Sequence, residues 1–221
     1  MKQLFLLLGV FSASFFTTAE AQKKYAEGHL EYTINISGLD AGSPAYQSLN
    51  GARLHIYLKP SQSLTEMVSA LGTEASIYDN RAKSGFLLKE YSGQKLMITL
   101  NGDNWKQKNQ FYEEANFTID NSRTIIAGQS CKKATATLPG NKTLVVYFNP
   151  EIELVNSTYN NAFPNLPGLP VQYELQSGNL NFRYTLKEVS WEPVLSSKFE
   201  VPRTGYRVMT YDENQQLKKG N

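Results

Sequence analysis

Polar and apolar residues alternate strictly along the stretch His29-Leu30-Glu31-Tyr32-Thr33-Ile34-Asn35-Ile36. Successive side chains of a β-strand point to opposite faces, so this period of two places the four apolar residues on one face. Such a stretch predicts a half-buried strand of an antiparallel sheet, with one face towards a core and the other towards solvent.

The same alternation recurs along most of the chain. Further strands are predicted at Leu54–Leu58, Ala75–Asn80, Gly85–Tyr91, Lys95–Leu100, Asn104–Lys108, Phe117–Ile119, Thr124–Ile126, Ser130–Leu138, Thr143–Phe148, Val171–Leu175 and Leu180–Trp191. Turn residues separate these runs, and amphipathic segments of helical length are rare between them. The spacing therefore predicts a mainly all-β chain, a meander of about ten antiparallel strands.

Three segments are expected to depart from plain strands. Ser61–Leu71 carries apolar residues at spacings of three and four, which favours one or two short helical turns. Asn101-Gly102 is a strong hairpin signal, and it predicts a turn into the strand Asn104–Lys108. The polar tail that begins at Gly205 is expected to fray after Tyr211.

The N-terminus has the features of a signal peptide. Lys2 gives it a positive charge, Leu4–Phe11 gives it a short apolar run, and Ala19-Glu20-Ala21 matches the small-x-small pattern of a cleavage site. The apolar run is too short to cross a bilayer, which takes about 18 to 20 residues. We therefore expect residues 1–21 to be a cleaved signal peptide. Residues 22–221 are expected to form a single β-rich domain in an exported compartment.

Composition gives little support for catalysis or metal binding. A net charge of +2 argues against nucleic acid as a partner. A zinc site takes three or four ligands, whereas the chain has one cysteine, Cys131, and two histidines, His29 and His55. Both histidines fall on polar strand faces and are expected to be exposed, while Cys131 is expected to pack in a core. Nucleophile-elbow and phosphate-loop motifs are absent from the sequence. We therefore expect no enzymatic activity, cofactor or metal.

The segment 150–170 interrupts the alternation of polar and apolar residues that marks the strands. Three prolines in its second half exclude it from the centre of a sheet, because proline has no N–H to donate. Phe163, Leu166 and Leu169 are nevertheless large and apolar for a loop. They either tuck onto the rim of the core or close one mouth of a sheet-bounded cavity.

The same segment carries a resemblance to a known family. Leu166-Pro167-Gly168-Leu169 resembles the motif that names the GLPGLI family, a group of exported proteins from Gram-negative bacteria. Asn165 stands where that motif begins with Gly, and Pro170 stands in place of its final Ile.

Two further matches occur in the order that this family shows. Ile126-Ala127-Gly128-Gln129-Ser130-Cys131-Lys132-Lys133-Ala134 resembles its Ile-x-Gly-x-x-Cys-Lys-Lys-Ala strand. Phe199-Glu200-Val201-Pro202, with Tyr206 after it, resembles the common final element. Together the three matches span roughly the second half of the chain.

The resemblance implies a fold and a location. Relatives of the family are thought to share the half-barrel of the periplasmic lipoprotein carriers (the LolA/LolB-like superfamily). In that half-barrel a curved antiparallel sheet wraps an apolar hollow, and short helices cover it. A β-sandwich agrees with the strand count equally well and is the alternative. The implied location is the periplasm, with or without association with the outer membrane, and the family supplies no catalytic residue.

Aromatic residues of the later strands form the candidate lining of such a hollow. Tyr173, Phe182, Tyr184 and Trp191 lie in the two strands that follow the proline-containing segment. They either fill a core, as aromatic residues commonly do in β proteins, or line a cavity. In the second case Phe163, Leu166 and Leu169 form its gate.

Two hypotheses for function follow. The first is a non-enzymatic periplasmic binding protein that holds an apolar ligand, such as a lipid acyl chain, in the sheet-bounded hollow. Burial of that chain contributes about 25 cal/mol per Å². The alternative is a structural or interaction protein that docks on an outer-membrane partner through an exposed strand edge or an aromatic patch.

Overall fold

The computed structural model describes residues 22–159 and 162–219. The predicted signal peptide, residues 1–21, lies outside the described residues. Within the described part, no helix is long and apolar enough to cross a membrane.

Strands dominate the described chain. They are β1 (Lys23–Tyr25), β2 (Gly28–Ser37), β3 (Arg53–Leu58), β4 (Gln62–Ser69), β5 (Gly72–Asp79), β6 (Ser84–Tyr91), β7 (Gln94–Asn101), β8 (Thr118–Ile126), β9 (Gln129–Leu138), β10 (Lys142–Asn149), β11 (Ile152–Leu154), β12 (Leu169–Ser177), β13 (Leu180–Ser190) and β14 (Arg207–Thr210). Three α-helices accompany them over residues 22–159 and 162–219: α1 (Pro44–Leu49), α2 (Gly102–Asn109) and α3 (Tyr211–Lys219).

Twelve of these strands form one curved, open sheet in the described chain. Their order is β14-β7-β6-β5-β4-β3-β2-β13-β12-β10-β9-β8, and every pairing is antiparallel except that of β14 with β7. The remaining two strands, β1 and β11, pair in parallel as a separate ladder. The prediction of a mainly β, curved antiparallel sheet with few short helices is confirmed. Because twelve strands form one continuous sheet and the second ladder of the described chain has only two short strands, the sandwich alternative is disfavoured.

The alternation in the first long strand has the predicted effect. Leu30, Tyr32 and Ile34 are at most 1% exposed, and Ile36 is also buried. They share a face, here called the inner face, with Val146 of β10 and with the apolar residues of β9, β12 and β13. This face carries the largest apolar core of the described chain.

A second core lies on the opposite face. Tyr57 alternates with the inner-face residues of β3, so its side chain lies on the opposite, outer face. Leu64 of β4 pairs with Tyr57 and therefore also projects outward. Leu64 packs with Phe86 of β6, and Phe199 from the connection between β13 and β14 covers them. The sheet is therefore covered on different faces at its two ends.

The helix predicted at Ser61–Leu71 is wrong, because Gln62–Ser69 is strand β4. Its apolar residues have the spacing of a helix because they lie on both faces of the sheet. Leu64 belongs to the outer core, whereas Met67 pairs with Leu54 and packs against the inner core.

The hairpin and strand predicted after Asn101 are wrong as well. Asn101 is the N-cap of α2: its side-chain oxygen accepts from the Asn104 amide at 2.8 Å, and the side-chain oxygen of Asn104 accepts from the Asn101 amide at 3.2 Å. This reciprocal capping stabilises a helix where a turn was expected.

The tail does not fray after Tyr211 within the described residues. Thr210 and Glu213 cap α3 in the same reciprocal way, with bonds of 3.2 Å and 2.7 Å to each other's amides. Tyr211 is buried against β7, which ties the helix to the sheet.

Candidate ligand pocket

Residues 155–159 and 162–170, here called the crossing segment, run across the inner face from the end of β11 into the first two residues of β12. Asn156 fixes the start of this segment and is only 3% exposed. Its amide nitrogen donates to the carbonyls of Lys59 and Gln62, each at 3.1 Å. Its amide oxygen accepts from Asn80 at 2.9 Å. The segment is thus attached to the turn between β3 and β4.

The end of the segment packs into the inner core. Phe163 is 5% exposed, and Leu169 is fully buried. The hydroxyl of Tyr32 donates to the carbonyl of Pro170 at 2.7 Å from within the core. Two of the three predicted gate residues therefore occupy the inner face themselves, while Leu166 is only partly buried.

The structure brings together part of the predicted aromatic lining. The ring of Phe163 meets Tyr173 edge-on at 4.7 Å between centroids, and Tyr173 stacks on Tyr184 at 4.7 Å. Burial raises the pKa of Tyr184 to about 12, as expected for a phenol away from water. These rings fill the space that an open hollow would leave vacant.

Phe182 and Trp191 lie apart from that group. Phe182 is partly buried against the inner core near the start of β13. Trp191 follows the other end of β13 and stacks on Tyr25 of β1 at 3.8 Å between ring centroids. Trp191 therefore holds the β1 ladder against the sheet.

A pocket of about 420 Å³ lies between the crossing segment and the β1–β11 ladder. It is lined by Gln22, Glu153, Leu154, Ser157, Thr158, Tyr159, Phe163, Pro164, Asn165, Leu166, Pro167, Gly168 and Pro170. Small-molecule sites commonly measure about 300–1,000 Å³ and combine apolar walls with a few polar groups. The size and the mixed lining fit a small amphipathic molecule.

Three polar contacts involve the lining residues Gln22, Pro167 and Glu153. The side-chain nitrogen of Gln22 donates to the carbonyls of Pro150 at 2.7 Å and Pro167 at 3.1 Å. Lys24 and Glu153 form an ion pair at 3.0 Å across the β1–β11 ladder. The residues before β2 therefore help to hold the crossing segment in place.

Tyr159 contributes the most unusual group of the pocket lining. The residue is 8% exposed, and its hydroxyl has no hydrogen-bond partner among the described residues. Burial raises the pKa of this hydroxyl, so it remains a neutral donor. An unpaired buried hydroxyl is energetically unfavourable and marks a position where a partner group could bind.

The two histidines form a pair on the outer face. His29 Nε2 and His55 Nδ1 lie 3.1 Å apart, and His29 stacks on Tyr57 at 4.4 Å between centroids. Both rings are half-buried, so the expectation of simple exposure needs correction. The cause is their diagonal position on β2 and β3, which sequence spacing does not reveal. Among the described residues, no group of three metal-ligating side chains comes together.

The histidine pair predicts a pH-dependent stability. Burial lowers the pKa of His29 most, and the neighbouring His55 lowers it further. Lys198 also lowers this pKa, whereas Glu31 and Glu188 raise it. A group with a depressed pKa binds its proton less tightly in the folded state than in the unfolded state. We expect this contribution to be complete above pH 6.5 and to be lost as the pH falls towards the lowered pKa of His29. Urea unfolding between about pH 7.5 and 5 checks this, and a His29→Gln variant should show a shallower decline.

Cys131 is fully buried in β9. Burial raises the pKa of its thiol to about 11, which keeps it protonated near neutral pH. The residue acts as part of the inner core, in agreement with the sequence interpretation.

Among solved structures, one with a similar fold comes from a thermophilic bacterium. An uncharacterized conserved protein from Thermus thermophilus superposes with a TM-score of 0.50 at 7% identity, covering 82% of this chain and 90% of that chain. The two proteins share a fold, and at this identity the similarity says nothing further.

Two other similarities are weaker. PNGF-II gives a TM-score of 0.48 at 12% identity, and this chain spans about a third of its length, with 87% of this chain covered and 33% of that one. The MucA/MucB complex of Pseudomonas aeruginosa gives 0.39 at 8% identity, with 79% and 56% covered. Neither similarity supports a functional conclusion.

No protein-family model matches the chain, and no curated protein matches it in sequence. The resemblance to the GLPGLI family therefore stays a prediction.

Proposed function

We propose that the protein is an exported binding protein, rather than an enzyme, that holds an apolar or amphipathic ligand beside the crossing segment. Its location would be the periplasm, as the GLPGLI resemblance implies. The observation that carries the proposal is the pocket of about 420 Å³, with Leu154, Phe163 and Leu166 among its apolar walls. Burial of a ligand's apolar surface there would supply the main driving force, about 25 cal/mol per Å².

The inner face itself is filled in this structure, which refines the first hypothesis. Phe163 and Leu169 occupy the space where an acyl chain was expected to lie. A long chain would therefore enter deeper only if the crossing segment moved away from the core. On the outer side, Gln22 links the segment at Pro167 to Pro150 through two surface hydrogen bonds, which suits a segment that opens on binding.

The alternative function, docking on an outer-membrane partner, is favoured by one observation. Strand β8 is an edge of the sheet, and Ile125 on it is 69% exposed. An edge strand presents unpaired backbone groups to which another chain can add a strand.

Native mass spectrometry and thermal shift test the proposal. The protein is purified gently from the envelope of a Gram-negative host, and phospholipid or fatty acid is added in the thermal assay. We expect a co-purifying apolar mass that disappears in Leu166→Asp, because a charge in the pocket wall opposes burial of an apolar ligand.

Leu217→Asp is the matched control. Leu217 is 55% exposed on α3, outside the pocket, so this variant should keep the bound mass. A clean unliganded mass together with no thermal shift would contradict ligand binding and favour the docking alternative.

A further inference from the structure

The hydroxyl of Tyr159 has no hydrogen-bond partner among the described residues. Its neighbour in the core, Tyr32, already donates its hydroxyl to Pro170. Two other polar side chains of the pocket lining are engaged: Gln22 bonds two carbonyls, and Thr158 bonds the side chain of Asn156 at 3.2 Å. Tyr159 thus lines the pocket, and its hydroxyl is a buried donor without a partner in the described part of the chain.

Charge in the pocket limits what that acceptor can be. The described lining contains no Lys, Arg or His, and its one carboxylate, Glu153, is held by Lys24 from outside the lining. A carboxylate ligand would therefore bury its negative charge beside Glu153 without a cation of its own, which is unfavourable. An uncharged ester or amide carbonyl meets no such opposition.

We infer that Tyr159 determines ligand specificity by donating a hydrogen bond to an uncharged carbonyl, so that the ligand class is a neutral acyl ester or amide. The inference rests on the proposed function, since it assigns the polar part of a ligand whose apolar part lies along Leu154, Phe163 and Leu166. Because the hydroxyl oxygen is buried, the acceptor reaches it as the crossing segment shifts.

Binding of monoolein and of oleate to the wild-type protein and to Tyr159→Phe tests the inference. Both probes are used near neutral pH below their aggregation concentrations and followed by the fluorescence of Trp105 and Trp191. Loss of one neutral hydrogen bond corresponds to roughly 2- to 13-fold weaker binding, so Tyr159→Phe should weaken monoolein by that factor. Oleate should bind the wild type roughly 10-fold more weakly than monoolein, and Tyr159→Phe should leave it unchanged.

The unliganded Tyr159→Phe protein provides a second readout. Its thermal midpoint should equal or slightly exceed that of the wild type, because the substitution removes an unpaired buried hydroxyl. Tyr57→Phe, on the outer face, is the matched control and should leave monoolein binding unchanged. A clear fall in the midpoint of Tyr159→Phe would show that the hydroxyl already has a structural partner, which overturns the inference.

The other outcomes separate the two proposals. Equal binding of monoolein to wild type and Tyr159→Phe overturns the role of Tyr159 and leaves the binding function standing. Oleate binding as tight as that of monoolein overturns the neutral ligand class. Failure of both probes to bind the wild type overturns the proposed function, and this inference with it.

Discussion

Replacement of Phe163 by alanine is expected to lower the free energy of unfolding by about 3–5 kcal/mol. The side chain is 5% exposed and meets Tyr173 edge-on, with Phe117 tilted against its ring at 6.4 Å. Its removal leaves a cavity between rings that are fixed by the sheet and cannot close over it. Urea denaturation followed by tryptophan fluorescence measures the loss.

Leu166→Ala is the comparison for this variant, because Leu166 lies in the same segment but is only partly buried at the pocket wall. It should lose clearly less stability than Phe163→Ala. A loss below about 1 kcal/mol for Phe163→Ala would contradict the packed position of the segment. That result would favour the hypothesis of an open hollow with Phe163 as its gate.

The alternating stretches account for what could be predicted. Where one face of a strand is buried and the other is exposed to solvent, as in Gly28–Ser37, the period of two is visible in the sequence. The register of the strand pairing follows from that period. Short turn-rich connections then require antiparallel neighbours, which predicts the meander, whereas the curvature of the sheet was implied by the GLPGLI resemblance. The parallel pairing of β14 with β7 was missed, since it joins strands that are distant in the chain.

Two incorrect predictions have separate physical causes. Strand β4 carries apolar residues on both faces, with Leu64 in the outer core and Met67 against the inner core, so these residues lose the strand period and imitate a helix. At Asn101-Gly102 the local hairpin preference is overcome by capping from Asn104 and by Trp105, which stacks on Tyr78 at 4.1 Å between ring centroids. The stack on Tyr78 is a tertiary contact without a local signature, whereas the cap is a local interaction that competes with the hairpin.

The candidate site was predictable only in part. The prolines and large apolar residues of the crossing segment marked it as unusual, and Phe163, Tyr173 and Tyr184 do come together. Gln22 was missed because it reaches the pocket from a distant part of the chain, whereas Tyr159 lies in the crossing segment itself. A polar residue such as Tyr159 is informative only once its burial and its missing partner are known.

Gly168→Ala is expected to destabilise the protein by about 1–3 kcal/mol, the usual range for forcing an extra methyl group into a packed site. A Cβ at position 168 would stand 2.4 Å from the carbonyl oxygen of Asn149 and 2.6 Å from the ring of Phe148. Phe148 is fully buried and Asn149 belongs to β10, so neither can give way. The crossing segment must instead lift from the sheet, and the pocket that it lines should change with it.

Gly42→Ala tests whether this effect comes from contact rather than from backbone freedom. A Cβ at Gly42 would meet Asp40 at an ordinary 3.5 Å, so that variant should be neutral or more stable by about 0.4–1 kcal/mol, because alanine restricts the unfolded chain. Urea unfolding of both variants, together with protease sensitivity of residues 155–170, makes the comparison. Equal stability of Gly168→Ala and wild type would show that the segment does not pack on β10. The expected loss would instead explain the glycine in Leu166-Pro167-Gly168-Leu169 as a requirement of close backbone packing, whichever ligand the pocket holds.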